Sequence, residues 1–306
     1  MRRFILLFLL YLSGESVYAQ YSYGTTGLLN MPTADMQRDK TFMCGGGYLE
    51  KHASVARWFY DTFNYYMNIT IFPWLEVCYD MILVKGVEKD PEKGGVSYWV
   101  PSTYGKFCNQ DRAFHARLRL WKEGWWKPWT PQVVIGMDDF LSASWAGMSL
   151  SSNGSGNGFS FREYISISKH YEFKNIGVLG GHITYLYNGD KRWHSNINGL
   201  AVGTNFRFNL PEDGGLLNTF LNGWNVMAEA YPMDGKGTYW VEYDGINHYK
   251  RGLSVGVYDI NVGFEYALPL VKSKLRQEDA LSIHFFGELY GCKDFSGGVQ
   301  FKVHLK

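Results

Sequence analysis

The chain has 306 residues, and its 30 lysines and arginines nearly balance its 29 aspartates and glutamates, for a formal net charge of +1. This balance argues against nucleic acid as a partner, because phosphate contacts need a basic excess on one face. Aromatic residues make up 17% of the chain and charged residues only 19%, which excludes intrinsic disorder. Abundant Tyr, Trp and Gly favour strands and turns, so the composition predicts a β protein.

The N-terminus has the layout of a secretory signal peptide. Two arginines at positions 2 and 3 precede an apolar run from Phe4 to Leu12, and a small residue, Ala19, ends the segment. The run is too short for a transmembrane helix, which takes about 20 residues. We therefore expect residues 1–19 to be a signal peptide and residues 20–306 to form one exported domain. No Cys follows the apolar run, so a lipid-modified N-terminus is not expected.

Four cysteines follow the signal, and an exported setting permits disulfides. They are Cys44, Cys78, Cys108 and Cys292, and none has the CxxC spacing of a zinc or redox site. The nearest pair in sequence, Cys78 with Cys108, is the disulfide candidate. Four unpaired thiols are the alternative.

Apolar and polar residues alternate along much of the chain, which predicts strands with two different faces. Residues 63–72 and 75–83 alternate in this way on either side of Pro73 and predict a hairpin with a tight turn. Segments 113–121, 281–290 and 298–306 follow the same pattern. Further strands are predicted near 41–50, 131–140, 159–170, 176–187, 223–232 and 239–268.

The links between these strands alternate in length. Short turns are predicted near 73, 122–130 and 171–175, and long polar loops at 85–110, 141–158 and 188–222. Such alternation, with strands of about ten residues, is typical of outer-membrane barrels. The sequence therefore predicts an all-β protein, an antiparallel transmembrane β-barrel of the outer-membrane type with about 12 strands. A secreted, soluble, sugar-binding β-sandwich is the alternative, because its strands also alternate.

Tryptophans cluster at one predicted short connection. Trp121, Trp125, Trp126 and Trp129 fall in or beside residues 122–130. Aromatic side chains concentrate where a barrel meets the membrane–water interface. The cluster is predicted to form part of an interfacial aromatic girdle on the periplasmic side.

Several segments resemble the YjbH family of exopolysaccharide-biosynthesis proteins. Residues 24–36, GTTGLLNMPTADM, are similar to its N-terminal signature. The resemblance continues at 69–77, 116–140, 161–171, 225–235 and 261–268. The residues that match the family motifs are Gly27, Leu28, Met31, Pro32, Thr33, Ala34, Asp139 and Phe140.

The resemblance implies an outer-membrane β-barrel that takes part in producing or exporting exopolysaccharide or capsule in Gram-negative bacteria. The implied partners are outer-membrane lipid, exopolysaccharide and other polysaccharide-export proteins. No catalytic residues are established for the family, so none is carried over, and a non-enzymatic role is expected. Two departures stand out: many members are longer than this chain, and residues 141–147 (LSASWAG) replace a Gly-Thr-rich continuation.

If the apolar faces of the strands contact lipid, their polar faces line the lumen. The candidates for lining the lumen and touching a polysaccharide are Asn64, Tyr66, Asn68, Glu76, Asp80, Arg117, Arg119, Glu163 and Tyr290. The alternative is structural, because a narrow barrel fills its interior with paired polar side chains.

The sequence gives little support for a metal site or for a pair of carboxylates that share a proton. His170, His182 and His194 lack the spacing of metal ligands, so no metal or cofactor is expected. Asp138 and Asp139 are consecutive and would point to opposite faces of a strand, where they cannot share a proton.

An outer-membrane lipid-modifying enzyme remains an alternative. Ser166 or Ser168 could pair with His182 or His284 on another strand. Nucleophilic catalysis needs such a pair in hydrogen-bond contact, with a third group orienting the histidine.

Overall fold

The computed structural model describes residues 24–50, 62–85, 107–138, 142–144, 147–149, 162–187, 198–232, 253–255, 258–272 and 279–305. The predicted signal peptide lies outside these residues, as do Asp139, Phe140 and His194.

The described residues are mostly strand. The strands are β1 (Thr41–Leu49), β2 (Thr62–Phe72), β3 (Leu75–Lys85), β4 (Phe107–Trp121), β5 (Gln132–Asp138), β6 (Ser142–Ser144), β7 (Gly147–Ser149), β8 (Arg162–Phe173), β9 (Gly177–Tyr187), β10 (Gly199–Phe208), β11 (Trp224–Pro232), β12 (Ser254–Val255), β13 (Tyr258–Lys272), β14 (Asp279–Tyr290) and β15 (Asp294–His304). A 3₁₀ turn (Glu212–Gly214) and helix α1 (Gly215–Asn222) connect β10 to β11. Among the described residues, no helix is long and apolar enough to cross a membrane.

Twelve of these strands form one closed antiparallel barrel. Their order around the ring is β11-β10-β9-β8-β5-β4-β3-β2-β1-β15-β14-β13, and β11 pairs with β13 to close it. The two-residue β12 lies beside β13, and β6 and β7 form a separate small hairpin. The structure confirms the predicted antiparallel barrel of about 12 strands, and the single closed sheet is not a two-sheet sandwich.

The links fall at two ends of the barrel. One end, called the turn end, carries the described connections 73–74, 122–131, 174–176 and 209–223; the other, called the loop end, carries the described connection 291–293. The hairpin at Pro73 is confirmed.

One segment of the predicted map was wrong. The segment 188–222, predicted as one loop, contains β10, whose Gly199, Gly203 and Asn205 are poor strand formers and weakened the pattern. Within the predicted strand segment 239–268, the structure describes β12 and the part of β13 from Tyr258 onward, and residues 239–252 lie outside the described part of the chain.

The barrel is polar inside and apolar outside. Along β8, Arg162, Ser166 and Ser168 are buried, whereas Ile165 and Ile167 between them are exposed. A soluble protein shows the opposite arrangement, with charged side chains outside and apolar ones buried. An outer face of exposed isoleucine, leucine, valine and aromatic side chains suits contact with lipid tails.

The tryptophan cluster lies at the turn end, as predicted. Trp125, Trp126 and Trp129 in the 122–131 connection are all more than 60% exposed, and Trp74 is exposed in the neighbouring hairpin turn. The ammonium of Lys127 lies 4.7 Å from the centre of the Trp126 ring. Exposed indoles beside a cation are what a membrane interface accommodates.

The predicted disulfide between Cys78 and Cys108 was wrong. The β3–β4 register places Cys78 opposite His115. Cys108 lies seven residues further along β4, roughly 23 Å away at about 3.3 Å per strand residue. A disulfide needs Cα atoms within about 7 Å of each other. Cys44, Cys78 and Cys292 are all thiols.

If the outer face contacts lipid, a charge should destabilise the barrel more at the centre of the membrane than near its edge. Ile183, midway along β9, and Ile176, in the turn before it, are 50% and 55% exposed. We expect Ile183→Arg to lower the free energy of unfolding in lipid vesicles by about 2–4 kcal/mol and Ile176→Arg by about 1 kcal/mol or less. Denaturant titration followed by tryptophan fluorescence measures both. Equal losses would contradict a lipid-facing β9.

Candidate functional site: a segment inside the barrel

Residues 24–37, called the plug, occupy the interior of the barrel. Every residue of this segment is buried, and Arg38, which follows it, is exposed. The plug contacts both β3 and β11, which lie six strands apart in the ring of 12 and thus on opposite walls. It therefore crosses the lumen from wall to wall.

The plug contains a tight turn. The amide of Leu28 donates to the carbonyl of Met31 at 3.0 Å, and Gly27 pairs with Pro32 as an isolated antiparallel bridge. Leu29 and Asn30 form the tip of this turn. The residues that resemble the family signature are thus the ones that fold into the turn.

The tip of the turn is held by a carboxylate from β11. Backbone amides of Leu29, Asn30 and Met31 donate to the Glu229 carboxylate at 2.9–3.2 Å. The Asn30 side-chain amide donates to Glu288 on β14. Successive backbone N–H groups that converge on one anion form a nest, and hydrogen bonds to a charged group are the stronger kind.

The opposite wall holds the start of the plug. Glu76 on β3 accepts hydrogen bonds from the amide and the hydroxyl of Thr26, both at 2.8 Å. Asn68 on β2 donates to the Gly24 carbonyl at 2.7 Å and to Glu76 at 2.8 Å. The two walls therefore anchor the segment through carboxylates.

Two arginines bind plug carbonyls. Arg117 on β4 donates to the carbonyls of Thr26, Thr33 and Asp35, the last at 3.0 Å, and lies 3.6 Å from Glu76. The guanidinium suits this role, because it presents five donors in a fixed plane.

Arg162 on β8 connects the plug to a second set of wall residues. It donates to the carbonyl of Asn30 at 3.2 Å, and it also binds the Asp138 carboxylate at 2.6 Å and the Tyr231 hydroxyl at 2.7 Å. Asp138 is thus engaged on the inner face of β5. Its predicted separation from Asp139 stays a prediction, since Asp139 lies outside the described residues.

Hydroxyls and a side-chain amide make further contacts along the plug. Ser166 and Thr184 both donate to the carbonyl of Pro32, at 3.2 and 2.6 Å. The amide of Ala34 donates to the Ser168 hydroxyl at 2.9 Å, and Gln132 donates to the carbonyl of Ala34. Polar wall side chains therefore satisfy much of the plug backbone, as a buried segment without regular structure requires.

Glycines in the wall make room for the plug's apolar side chains. A side chain at Gly203 would meet Leu28 and Met31, and one at Gly263 would meet Leu29. Deeper in the plug, Ala34 packs in a small apolar cluster on β5. The lumen is thus filled by close packing as well as by hydrogen bonds.

Most of the predicted lumen residues do face the interior. Asn64, Tyr66, Asn68, Glu76, Asp80, Arg117 and Tyr290 are all buried there, and Arg119 donates to Gln132 near the turn end. The Tyr66 hydroxyl donates to Gln300 at 2.9 Å, and the Tyr290 hydroxyl donates to Asp259 at 2.8 Å. These partners supply the structural role that was left open. Contact with a polysaccharide stays a prediction.

Glu163 was wrongly placed in the lumen. It alternates with the buried Arg162 and Tyr164 and lies on the outer face of β8, in a groove with Tyr185 and Tyr187. The sequence carried the signal, because the exposed Ile165 shares its parity with Glu163.

A serine and a histidine of the enzyme alternative are in contact. The Ser168 hydroxyl lies 2.8 Å from His182 Nδ1, and His182 Nε2 lies 2.9 Å from Asn205 Oδ1. Ser168 is buried beneath the plug and accepts the Ala34 amide, so the plug covers this serine. By contrast, Ser166 bonds to Thr184, and His284 bonds to Ser282 and Glu265.

The fold also brings together three side chains that sequence reasoning kept apart. Asp35 of the plug lies 3.5 Å from His170 Nε2 and 3.9 Å from His182 Nδ1. The hairpin pairs Ser168 with His182 and Lys169 with Gly181, so the two histidines are diagonal neighbours on one face. A hairpin centred on residue 175 would have revealed the histidine pair, whereas Asp35 required the position of the plug.

Glu123, in the 122–131 connection, contacts His170 on the side of the ring opposite Asp35. Its carboxylate lies 2.7 Å from both His170 Nδ1 and Lys169 Nζ. Partial burial by itself would raise the pKa of Glu123, but the hydrogen bonds from His170 and Lys169 outweigh burial, so the pKa lies below its ordinary value.

The Glu229 contacts predict how firmly the plug is held. We expect Glu229→Gln to weaken protection of the Leu29, Asn30 and Met31 amides by about 1–3 kcal/mol, because an amide side chain replaces an anionic acceptor. Their hydrogen exchange, measured by mass spectrometry in micelles, should rise roughly 5- to 150-fold.

Glu172→Gln is the matched control, because Glu172 is exposed on β8. That variant should leave the exchange of the same three amides unchanged. Unchanged exchange in Glu229→Gln would mean that the carboxylate does not anchor the turn.

Among solved structures, the chain is similar to a KdgM porin in complex with disordered oligogalacturonate, with 7% identity and a TM-score of 0.42 over 87% of this chain and 99% of the porin. It is also similar to an outer-membrane channel from Pseudomonas putida F1, with 9% identity and a TM-score of 0.38 over 90% of this chain and 99% of the channel.

In sequence, 122 residues are 30% identical to the "Uncharacterized lipoprotein YjbH" of Escherichia coli strain K12. They make up 40% of this chain and 14% of the length of that relative, so this chain matches only a small part of it. The model of the YjbH family, described as "Exopolysaccharide biosynthesis protein YbjH", matches residues 19–147, which include the plug and strands β1 to β6. Over those residues the chain matches the YjbH family, in agreement with the resemblance predicted from residues 24–36.

Proposed function

We propose that this chain is a non-enzymatic outer-membrane barrel that takes part in the production or export of exopolysaccharide, and that the plug keeps its lumen closed at rest. One observation carries the proposal: the segment with the family signature is the segment that fills the lumen. A barrel of 12 strands has space inside for a segment of chain, and here the plug takes it. Transport would then require the plug to move.

The wall chemistry supports a carbohydrate as the molecule that takes the place of the plug. Glu76, Arg117, Arg162 and Glu229 now bind backbone amides and carbonyls. Sugar hydroxyls donate and accept hydrogen bonds in the same way, and carboxylate and guanidinium groups bind them well. A displaced plug would therefore leave a wall that already suits a chain of hydroxyl groups.

Location and partners complete the proposal. Residues 1–19 serve as the signal peptide, and the apolar outer face lies in outer-membrane lipid. The exposed tryptophans at the turn end lie at the periplasmic interface, where other polysaccharide-export proteins would approach. Exopolysaccharide and capsule share this chemistry, and the experiment below distinguishes them by the polymer that is lost.

Deletion and complementation test the function. We expect a strain without the gene to carry less surface polysaccharide, and the wild-type chain to restore it, because the barrel takes part in its passage. Sugar analysis of washed cells and of the medium measures the amount and identifies the polymer. The Glu229→Gln variant, present in the outer membrane at wild-type level, should change the amount, while Glu172→Gln should not. Unaltered polysaccharide in the deletion strain would contradict the proposal.

The contact between Ser168 and His182 favours a second candidate, a lipid-modifying enzyme whose serine is uncovered when the plug moves. The first proposal predicts that Ser168→Ala still restores most of the polysaccharide, because the substitution removes only one neutral hydrogen bond to the plug. The enzyme hypothesis predicts that Ser168→Ala fails in the same assay while the barrel still folds. Migration on a detergent gel before and after boiling reports the fold.

A further inference from the structure

We propose that Asp35, His170 and His182, called the metal cluster, bind a divalent transition-metal ion of the zinc class. The ion would fasten the plug to the barrel wall. This inference rests on the geometry of the three side chains and stands apart from any role in polysaccharide export.

The three side chains lie at the spacing of ligands. One donor atom from each lies within 4.8 Å of the others, and Asp35 lies 3.5 Å from His170 Nε2 and 3.9 Å from His182 Nδ1. Around a tetrahedral zinc ion with bonds of about 2.0–2.1 Å, ligand atoms are roughly 3.3 Å apart. Small side-chain rotations would bring the observed atoms to that spacing.

Each imidazole is oriented by a partner on its far side. His170 Nδ1 lies 2.7 Å from Glu123, which leaves Nε2 toward Asp35, and His182 Nε2 lies 2.9 Å from Asn205, which leaves Nδ1 toward Asp35. Histidine ligands of metals typically donate their other ring N–H to a carboxylate or a carbonyl oxygen in this way. His182 Nδ1 now contacts the Ser168 hydroxyl, and the ion would replace that hydrogen bond.

A second observation points to a ligand at the same place. Asp35 Oδ1 is buried and, apart from the 3.5 Å approach of His170 Nε2, has no hydrogen-bond partner among the described residues. A buried carboxylate oxygen without a hydrogen bond is costly, and coordination to a cation removes that cost. The oxygen that lacks a bond is the one that lies nearest to His170 Nε2.

The donor set selects the class of ion. Two imidazoles with one carboxylate suit Zn²⁺ and its neighbours in the first transition row, whereas Mg²⁺ and Ca²⁺ prefer oxygen ligands alone. Three protein ligands leave one coordination position for water. Asp35 belongs to the plug, and the histidines belong to β8 and β9, so a bound ion would tie the two parts together.

Zinc titration of the whole protein tests the cluster. The chain is purified in detergent micelles with a tag that contains no histidine, stripped with a chelator and titrated with Zn²⁺ by calorimetry. We expect one ion per chain. Asp35→Asn, His170→Gln and His182→Gln should each abolish that stoichiometric binding, because each removes a ligand. Mg²⁺ should not bind.

A histidine outside the cluster serves as the control, and Co²⁺ absorption is the second measurement. His304→Gln is the matched control, because His304 lies on β15 and its ring contacts Thr41. Glu123→Gln, outside the strands, should lower zinc affinity about 10- to 100-fold, since the carboxylate only orients His170. Co²⁺ should give the visible absorption of a tetrahedral site in the wild type and in His304→Gln, but not in His182→Gln.

The proposal would be overturned if the wild-type protein is folded, as judged by a change of gel migration on boiling, and yet takes up no Zn²⁺. The cluster would then be an ion-pair chain, with His170 held between two carboxylates. Zinc uptake that is equal in all folded variants would place the ion elsewhere and overturn it as well. If Asp35→Asn fails to fold, the Glu123→Gln affinity and the Co²⁺ spectrum decide.

Discussion

The structure depends on the hydrogen bonds that charged side chains of the barrel wall form with the backbone of the plug. Glu229 receives three backbone amides, and Arg117 donates to three carbonyls. An ionised group taken out of water needs such partners, because its desolvation costs several kcal/mol. The plug, which has little regular structure, equally needs partners for its own amides and carbonyls. The wall and the plug therefore stabilise each other, and neither would be satisfied alone in a dry lumen.

Lipid outside and polar groups inside explain how much of the fold was predictable. Because both faces of each strand are constrained, apolar and polar residues alternate along much of the chain, and the hairpin at Pro73 and an antiparallel barrel of about 12 strands could be predicted. Errors arose where the alternation was weak or ignored. β10 is interrupted by glycines, and Glu163 was assigned against the parity of Ile165. The Cys78–Cys108 pairing relied on distance in sequence, whereas the strand register decides which residues meet.

The contents of the lumen could not be predicted from strand patterns. The resemblance identified residues 24–36, yet nothing local in them indicates burial, because Asn30, Thr33 and Asp35 are polar. Their partners are distant in sequence: Thr26 binds Glu76, 50 residues away, and Asn30 binds Glu229, 199 residues away. The metal cluster has the same origin, since two strands supply its histidines and the plug supplies its carboxylate. Such sites exist only once the barrel has closed around the segment.

The number of these contacts sets the conditions for opening. Each hydrogen bond to a charged group contributes about 1.5–3 kcal/mol, so the carboxylate and guanidinium contacts together make spontaneous release of the plug rare. A molecule that opens the lumen must bind the open state better than the closed one by a comparable free energy. A glycan that takes over the bonds of Glu76, Arg117 and Glu229 would satisfy that requirement, because it replaces the contacts that the plug gives up. An ion at Asp35 would act in the opposite direction by stabilising the closed state. The balance between a polymer in the lumen and an ion on the plug would then decide when the barrel opens.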